Sequence, residues 1–272
     1  MNGNQTISGT KHAVTSADGT EISYVKSGTG PALVITHGSI ASKEQWFPAI
    51  HELENDFTCY VYDRRGRGDN LDATNYSIQN EIDDLHAILN EAGEDASLLA
   101  HSYGALCALE YALAHGLENR KMVLFEPPLP VNEPIAGEAL VTYRDLIEAG
   151  DDDAALHFGL VHFVRSTEAD VIGSVHSPMW PALVQLAPAW VPELEVMDQL
   201  GNDLSRFSVL SDSEVALLVG TLTNYFLKDS ARGLAEVVDG IYVIELPGLD
   251  HLAHVMDPIT FAASVKEALN KA

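Results

Sequence analysis

Leu98-Leu99-Ala100-His101-Ser102-Tyr103-Gly104-Ala105 is the stretch that decides how this chain folds. Apolar residues lead in as a buried strand, small residues flank a lone serine, and Ala105-Leu106-Cys107-Ala108-Leu109 opens a helix. A serine on so sharp a strand-to-helix turn sits in strained backbone, and its neighbours two positions away must be small. The usual form is Gly-x-Ser-x-Gly. Ala100 replaces the first glycine here, which the steric argument still permits. Such a turn aims the Tyr103 N–H and the helix N-terminus at charge developing beside Ser102. The plainer alternative is a serine that only caps a helix.

The flanking chain repeats the alternation. Glu21–Ser27, Pro31–Thr36, Phe57–Tyr62, Ser97–Ala100, Lys121–Phe125, Glu214–Val219 and Ile241–Leu246 read as strands. Their near-continuous apolar runs suit a parallel sheet covered on both faces. Helical patterns lie between them; in one, Ile78, Ile82, Leu85 and Leu89 form an apolar stripe with Asp83, Asp84 and Glu91 expected outside. This predicts an α/β, doubly wound, mostly parallel sheet with chemistry at the strand C-terminal ends. The alternation stops between Phe125 and Glu214. Helical stretches near Ala139–Ala149, Ala154–Val164 and Glu193–Leu200 are broken there by Pro178, Pro181, Pro188 and Pro192.

Several motifs stand in register with the elbow: Thr36-His37-Gly38-Ser39 after a strand, Asp63-Arg64-Arg65-Gly66-Arg67-Gly68, Phe125-Glu126-Pro127-Pro128, and Leu246-Pro247-Gly248-Leu249-Asp250-His251. In this order, from about Gly19 to Leu269, they resemble the α/β-hydrolase superfamily. The likeness is strongest to small bacterial hydrolases carrying the Asp-Arg-Arg-Gly-Arg-Gly, His-Ser-Tyr-Gly-Ala and Phe-Glu-Pro-Pro motifs. The resemblance implies a core of residues 1–130 and 213–272, with 131–212 as an inserted helical cap, or lid.

Acyl transfer by serine needs a base, a carboxylate that orients it, and donors for the oxyanion. The resemblance implies Ser102 as nucleophile and His251 as base, with His254 the competing histidine. The expected oxyanion donors are the backbone N–H groups of Ser39 and Tyr103. The family's usual acid position falls on Thr223, three residues after Gly220, and neither Thr223 nor Asn224 carries a charge. Some members, notably haloalkane dehalogenases, carry the acid after the strand that precedes the cap, where Glu126 stands. Glu126 is therefore the expected acid; Asp229 or Asp250 in a lesser role is the alternative. Asp63, Arg64, Arg65 and Arg67 are expected to form a salt-bridge corner. Phe158, Met179, Trp180 and Trp190, with His157 and His162, are candidates to line a substrate pocket, although most buried aromatics are simply core.

The resemblance implies hydrolysis of a small or medium apolar carboxylic ester. Cofactor-free carbon–carbon hydrolases, perhydrolases and hydroxynitrile lyases share such a site, and silent ligand-binding relatives exist. Dehalogenases and epoxide hydrolases are disfavoured, because both need a carboxylate where Ser102 stands. No cofactor and no metal site are expected: no cluster has metal-ligand spacing and no glycine-rich phosphate loop follows a strand.

Forty acidic residues oppose fifteen basic ones, a formal net charge of −25. Nucleic acid and anionic membranes are poor partners for such a surface. The excess fits either a salt-tolerant source or a merely acidic protein. Met1–Thr6 has neither a basic nor an apolar signal segment, and Cys59 and Cys107 fall within predicted elements rather than a disulfide framework. The expectation is a cytoplasmic monomer or homodimer acting on a small molecule.

Overall fold

The computed structural model describes residues 7–71 and 75–271; Met1–Thr6 lies outside the described residues. The strands are β1 (Thr10–Thr15), β2 (Glu21–Gly28), β3 (Ala32–Thr36), β4 (Thr58–Tyr62), β5 (Ser97–His101), β6 (Met122–Phe125), β7 (Val215–Gly220) and β8 (Tyr242–Leu246). They form one sheet in the order β1-β2-β4-β3-β5-β6-β7-β8. β1 and β2 join antiparallel and every pairing from β4 to β8 is parallel.

The helices are α1 (Phe47–Leu53), α2 (Ile78–Ala92), α3 (Tyr103–His115), α4 (Ala139–Glu148), α5 (Asp152–His162), α6 (Glu168–Val175), α7 (Trp180–Val184), α8 (Ala187–Leu200), α9 (Tyr225–Val237), α10 (Ala253–Met256) and α11 (Pro258–Lys271). Strand residues alternate between two apolar layers. Val34, Leu98, Ala100, Met122 and Leu124 face α2, α3 and α9. Leu33, Ile35, Leu99, Val123 and Phe125 face α1 and α11. Each fully buried Leu, Ile or Phe contributes about 1.5–3 kcal/mol. Because both faces are buried, the central strands read as continuous apolar runs.

Three local readings differ from the sequence expectations. β1 carries no apolar pattern and is largely exposed; backbone pairing with β2, Thr10 opposite Lys26 through Thr15 opposite Glu21, holds it in place. Asp84 is buried rather than outside, because the Arg65 guanidinium meets both its oxygens at 2.6 and 2.7 Å. Pro192 does not end a helix: α8 begins at Ala187 and runs through it. At that position, proline forgoes only the hydrogen bond to Pro188, in the first turn, while Trp190, Leu194 and Met197 bury the helix face.

The chain between β6 and β7 holds α4 to α8 and a 3₁₀ helix, Leu204–Leu210. No helix among the described residues is long and apolar enough to cross a membrane.

Candidate active site

Ser102 joins β5 to α3 at φ 54°, ψ −126°, a conformation that a non-glycine residue adopts only when its surroundings impose it. Its N–H donates to the Phe125 carbonyl at 2.9 Å, and its own carbonyl accepts from Ala105 at 2.8 Å. Tight packing completes the constraint. A Cβ on Gly104 would lie 2.5 Å from the His37 carbonyl oxygen, and one on Gly38 would lie 2.9 Å from Ser102 Cβ. The end of β3 therefore runs directly against the elbow, bringing Ser39 and Tyr103 beside Ser102. Among the described residues neither the Ser39 nor the Tyr103 amide donates a hydrogen bond. Tyr103 N–H belongs to the first turn of α3, where amides have no partner within the helix.

Glu126 follows β6, also with positive φ, 49°. Its side chain is wholly buried and reaches across β7: Oε1 accepts from Gly220 N–H at 2.7 Å and Oε2 from Thr223 Oγ1 at 2.9 Å. The remaining partner is His251, whose Nδ1 lies 2.6 Å from Oε2. His251 stands on the loop after β8, which Thr221 Oγ1 and the Leu222 N–H tie to the loop after β7 through Gly248 N–H and the Leu249 carbonyl. With Nδ1 carrying the proton to a carboxylate, Nε2 is the free, basic nitrogen. Asp229 instead takes Arg232 at 2.7 Å and Asp250 takes Leu252 N–H at 2.9 Å; neither accepts from His251.

His101, adjoining Ser102, is buried and packs 4.4 Å from the His251 ring centre. Its Nε2–H donates to the His251 carbonyl at 3.1 Å, which holds the histidine loop against the elbow. Burial, and then the nearby His251 and His254, hold His101 well below the ordinary histidine range. His254 is held down to about 3 by burial and by His251. Both are thus neutral near pH 7, and His254, stacked 4.6 Å from Trp46, packs as a core aromatic. Ser102 Oγ itself forms no hydrogen bond among the described residues. In unliganded sites the nucleophile–base contact commonly tightens only when substrate arrives.

The Arg-rich corner does not pair within itself alone. Asp63 takes Lys43, Arg65 takes Asp84 and Asp18, and Arg64 and Arg67 both take Glu193 of α8, Arg64 also taking Glu81. The charges in the motif find partners on other elements, which local sequence cannot reveal.

The aromatic candidates occupy separate places. Trp190 packs edge-on against Tyr143 and Phe163 in the main core. Trp180 sits in a small cluster with Leu156, Val171 and Ala187, its Nε1 donating to Asp153 at 2.7 Å. Phe158 stacks on His162 at 4.0 Å beside His157, in a surface groove of the chain between β6 and β7, and Met179 is half exposed. The ring contacts of Trp190 and Phe158, and the Leu156, Val171 and Ala187 packing around Trp180, all involve residues between β6 and β7. Among the described residues no group of three or more His, Cys, Asp or Glu could hold a metal ion.

A mostly parallel sheet, with a serine on a strained turn after its fifth strand and a histidine after its last, defines the architecture of an α/β hydrolase. Residues 33–264 match the model of the Alpha/beta hydrolase family, and the chain belongs to that family. It superposes on an alpha/beta hydrolase from Sphaerobacter thermophilus with TM-score 0.85 and 27% identity, over 95% of this chain and 100% of the other. It shares the fold of an esterase from Rhodococcus sp. at TM-score 0.72 and 23% identity, over 96% of this chain and 99% of the other. A shorter similarity, 36% identity over 88 residues, relates 31% of this chain to 33% of the "Putative carbamate hydrolase RutD" of Escherichia coli O157:H7. The match thus spans about a third of that relative's length.

Proposed function

We propose that the chain is a serine hydrolase of small or medium apolar carboxylic esters, with Ser102 as nucleophile, His251 as base and Glu126 as the orienting acid. The observation that carries this reading is the 2.6 Å contact between His251 Nδ1 and a buried Glu126 carboxylate, next to a serine in strained backbone. His251 Nε2 takes the Ser102 hydroxyl proton as Oγ attacks the ester carbonyl. The tetrahedral oxyanion forms against the Ser39 and Tyr103 N–H groups, each worth about 10²–10³ in rate. As the intermediate collapses, the C–O bond breaks and His251 returns the proton to the departing alkoxide, leaving an acyl-Ser102 ester. Water, deprotonated by the same nitrogen, then attacks that ester; the acyl C–Oγ bond breaks, His251 returns the proton to Oγ, and the acid and free Ser102 are released. In this reading the helices between β6 and β7 form a cap that shapes the acyl and alcohol pockets.

The test is the intact mass of the protein after brief exposure to a fluorophosphonate, with Ser102→Ala as control. One adduct in the wild type and none in the variant is the expected outcome, and would direct a screen of 4-nitrophenyl esters and, given the RutD similarity, alkyl carbamates. An unlabelled wild type would overturn the reading in favour of a ligand-binding member of the fold.

A further inference from the structure

Both proposed oxyanion donors rest on one buried cluster of charges, and the insertion supplies a member of it. Arg64, Arg67, Glu81 and Glu193 are all fully buried or nearly so. Glu193 Oε1 bridges the two guanidiniums, at 2.5 Å from Arg64 Nη2 and 2.7 Å from Arg67 Nη2. The same two nitrogens also donate to the loop after β3. Arg64 Nη2 reaches the Gly38 carbonyl at 3.1 Å and Arg67 Nη2 reaches the Ser39 carbonyl at 2.8 Å, while Arg64 Nε takes the His37 carbonyl at 3.0 Å. A peptide unit is planar, with its C=O and N–H pointing in opposite directions. Fixing Gly38 O therefore aims the N–H of the same peptide, that of Ser39. Fixing Ser39 O pins the following plane.

The second donor is tied to the same cluster. The Arg64 guanidinium lies 4.8 Å from the Tyr103 ring centre. Tyr76 Oη is 2.8 Å from Glu81 Oε1 and 3.0 Å from Tyr103 Oη. Each hydroxyl has one proton, so a chain from Tyr103 to Tyr76 to Glu81 satisfies both. Glu193 is not arranged for stability alone: its Oε2 and Arg67 Nε are buried without hydrogen-bond partners among the described residues, a costly arrangement that an apolar helix face would avoid.

We propose that Glu193 of the insertion is a positioning residue, which sets the Ser39 N–H through Arg64 and Arg67 and so couples α8 to the oxyanion site. The proposal rests on the serine-hydrolase reading above. Misaiming one donor sacrifices part of the factor of about 10²–10³ that such a donor supplies. It acts on the transition state rather than on substrate binding, so it lowers kcat and leaves KM.

The test compares wild type, Glu193→Gln and Glu195→Gln on 4-nitrophenyl acetate, well below each melting temperature, with fluorophosphonate labelling in parallel. Glu195 lies on the same helix and pairs only with the partly exposed Arg144, at 2.5 Å, among the described residues, so its variant reports on perturbing the insertion alone. Expected for E193Q is a fall in kcat of about tenfold or more, KM within about threefold, and equally slowed labelling. E195Q should stay within about twofold of wild type. An E193Q kcat within about threefold of wild type, or a raised KM with kcat kept, overturns the proposal. If E193Q does not fold, Arg67→Lys, which keeps the charge but loses the fork that reaches Ser39 O, is held to the same thresholds. A labelled wild type with an equally labelled E193Q defeats only this inference; a wild type that takes no label defeats the serine reading and this one with it.

Discussion

Thr223 donates its hydroxyl to Glu126 Oε2 at 2.9 Å, the same oxygen that faces His251 Nδ1 at 2.6 Å. The position where the family resemblance places an acid is thus occupied by a donor to a carboxylate that arrives from the neighbouring strand. Parallel register explains the reach. Phe125 pairs with Leu218, so Glu126, one residue on, stands beside the end of β7 and takes Gly220 N–H at 2.7 Å. Three donors converge on one buried carboxylate, and they compensate the desolvation that its charge incurs.

Replacing Glu126 with Gln should therefore remove most turnover while the fold persists. An amide that turns its NH₂ toward Nδ1 favours the other imidazole tautomer, which protonates the nitrogen needed as base. Disabling this orienting role elsewhere costs about 10⁴ in kcat. Steady-state hydrolysis by E126Q, beside its far-ultraviolet circular dichroism, measures this, and a loss below about tenfold would sink the assignment. The shared oxygen suggests a rescue as well. Adding Thr223→Asp to E126Q puts a carboxylate back within reach of His251 and should recover about tenfold or more of the lost rate; no recovery would mean that residue 223 touches Glu126 but cannot approach the imidazole.

Gly104 tests the elbow itself. A methyl group at this position would stand 2.5 Å from the His37 carbonyl oxygen, a clash with backbone, which cannot swing aside. Gly104→Ala must push β3 from α3 and spread the Ser39 and Tyr103 amides. We expect about 1–3 kcal/mol of destabilisation in urea unfolding, together with fluorophosphonate labelling slowed by about tenfold or more. Wild-type labelling by a destabilised G104A would show that the packing serves the fold and not the donors.

The parts legible in sequence are those in which each residue declares its own surroundings. Leu33 to Thr36 and Leu98 to Ala100 are apolar because both faces of the sheet are covered, and the elbow shows itself in small residues around Ser102. β1 escaped notice because its side chains are mostly exposed and only backbone pairing with β2 holds it. Glu193 escaped for the opposite reason. A glutamate in a helical pattern reads as a solvated face, and only the distant Arg64 and Arg67 make its burial possible. Thr223 reads as a missing acid until Glu126 is seen beside it. Trp180 and Trp190 are both buried in apolar clusters, and an aromatic in a sequence does not itself say whether it packs or lines a pocket.

The buried histidines predict how stability follows pH. His254 donates through Nε2 to Gln45 Oε1 at 3.2 Å, stacks on Trp46, and lies 4.6 Å from the His101 ring centre. Burial and His251 hold it down to about 3, against an ordinary value of 6.5, so the folded chain keeps it neutral while the unfolded chain protonates it. Between those values the unfolded state binds the extra proton, and stability falls as pH falls, by up to about 1.4 kcal/mol per pH unit for one such group. His37 and His101, also pushed down by burial, add slope of the same sign. Acidification has an opposing effect, since protonating carboxylates relieves repulsion in a chain of net charge −25. The comparison must therefore be differential. His254→Gln keeps a donor toward Gln45 and removes the titration, leaving every carboxylate in place. Urea unfolding at pH 7, 6 and 5 should show H254Q losing less stability on acidification than the wild type, or gaining more, by up to about 1.4 kcal/mol per pH unit, whatever its absolute stability. Parallel profiles would mean that His254 becomes protonated within the fold, and that the cluster around Trp46 admits a charge.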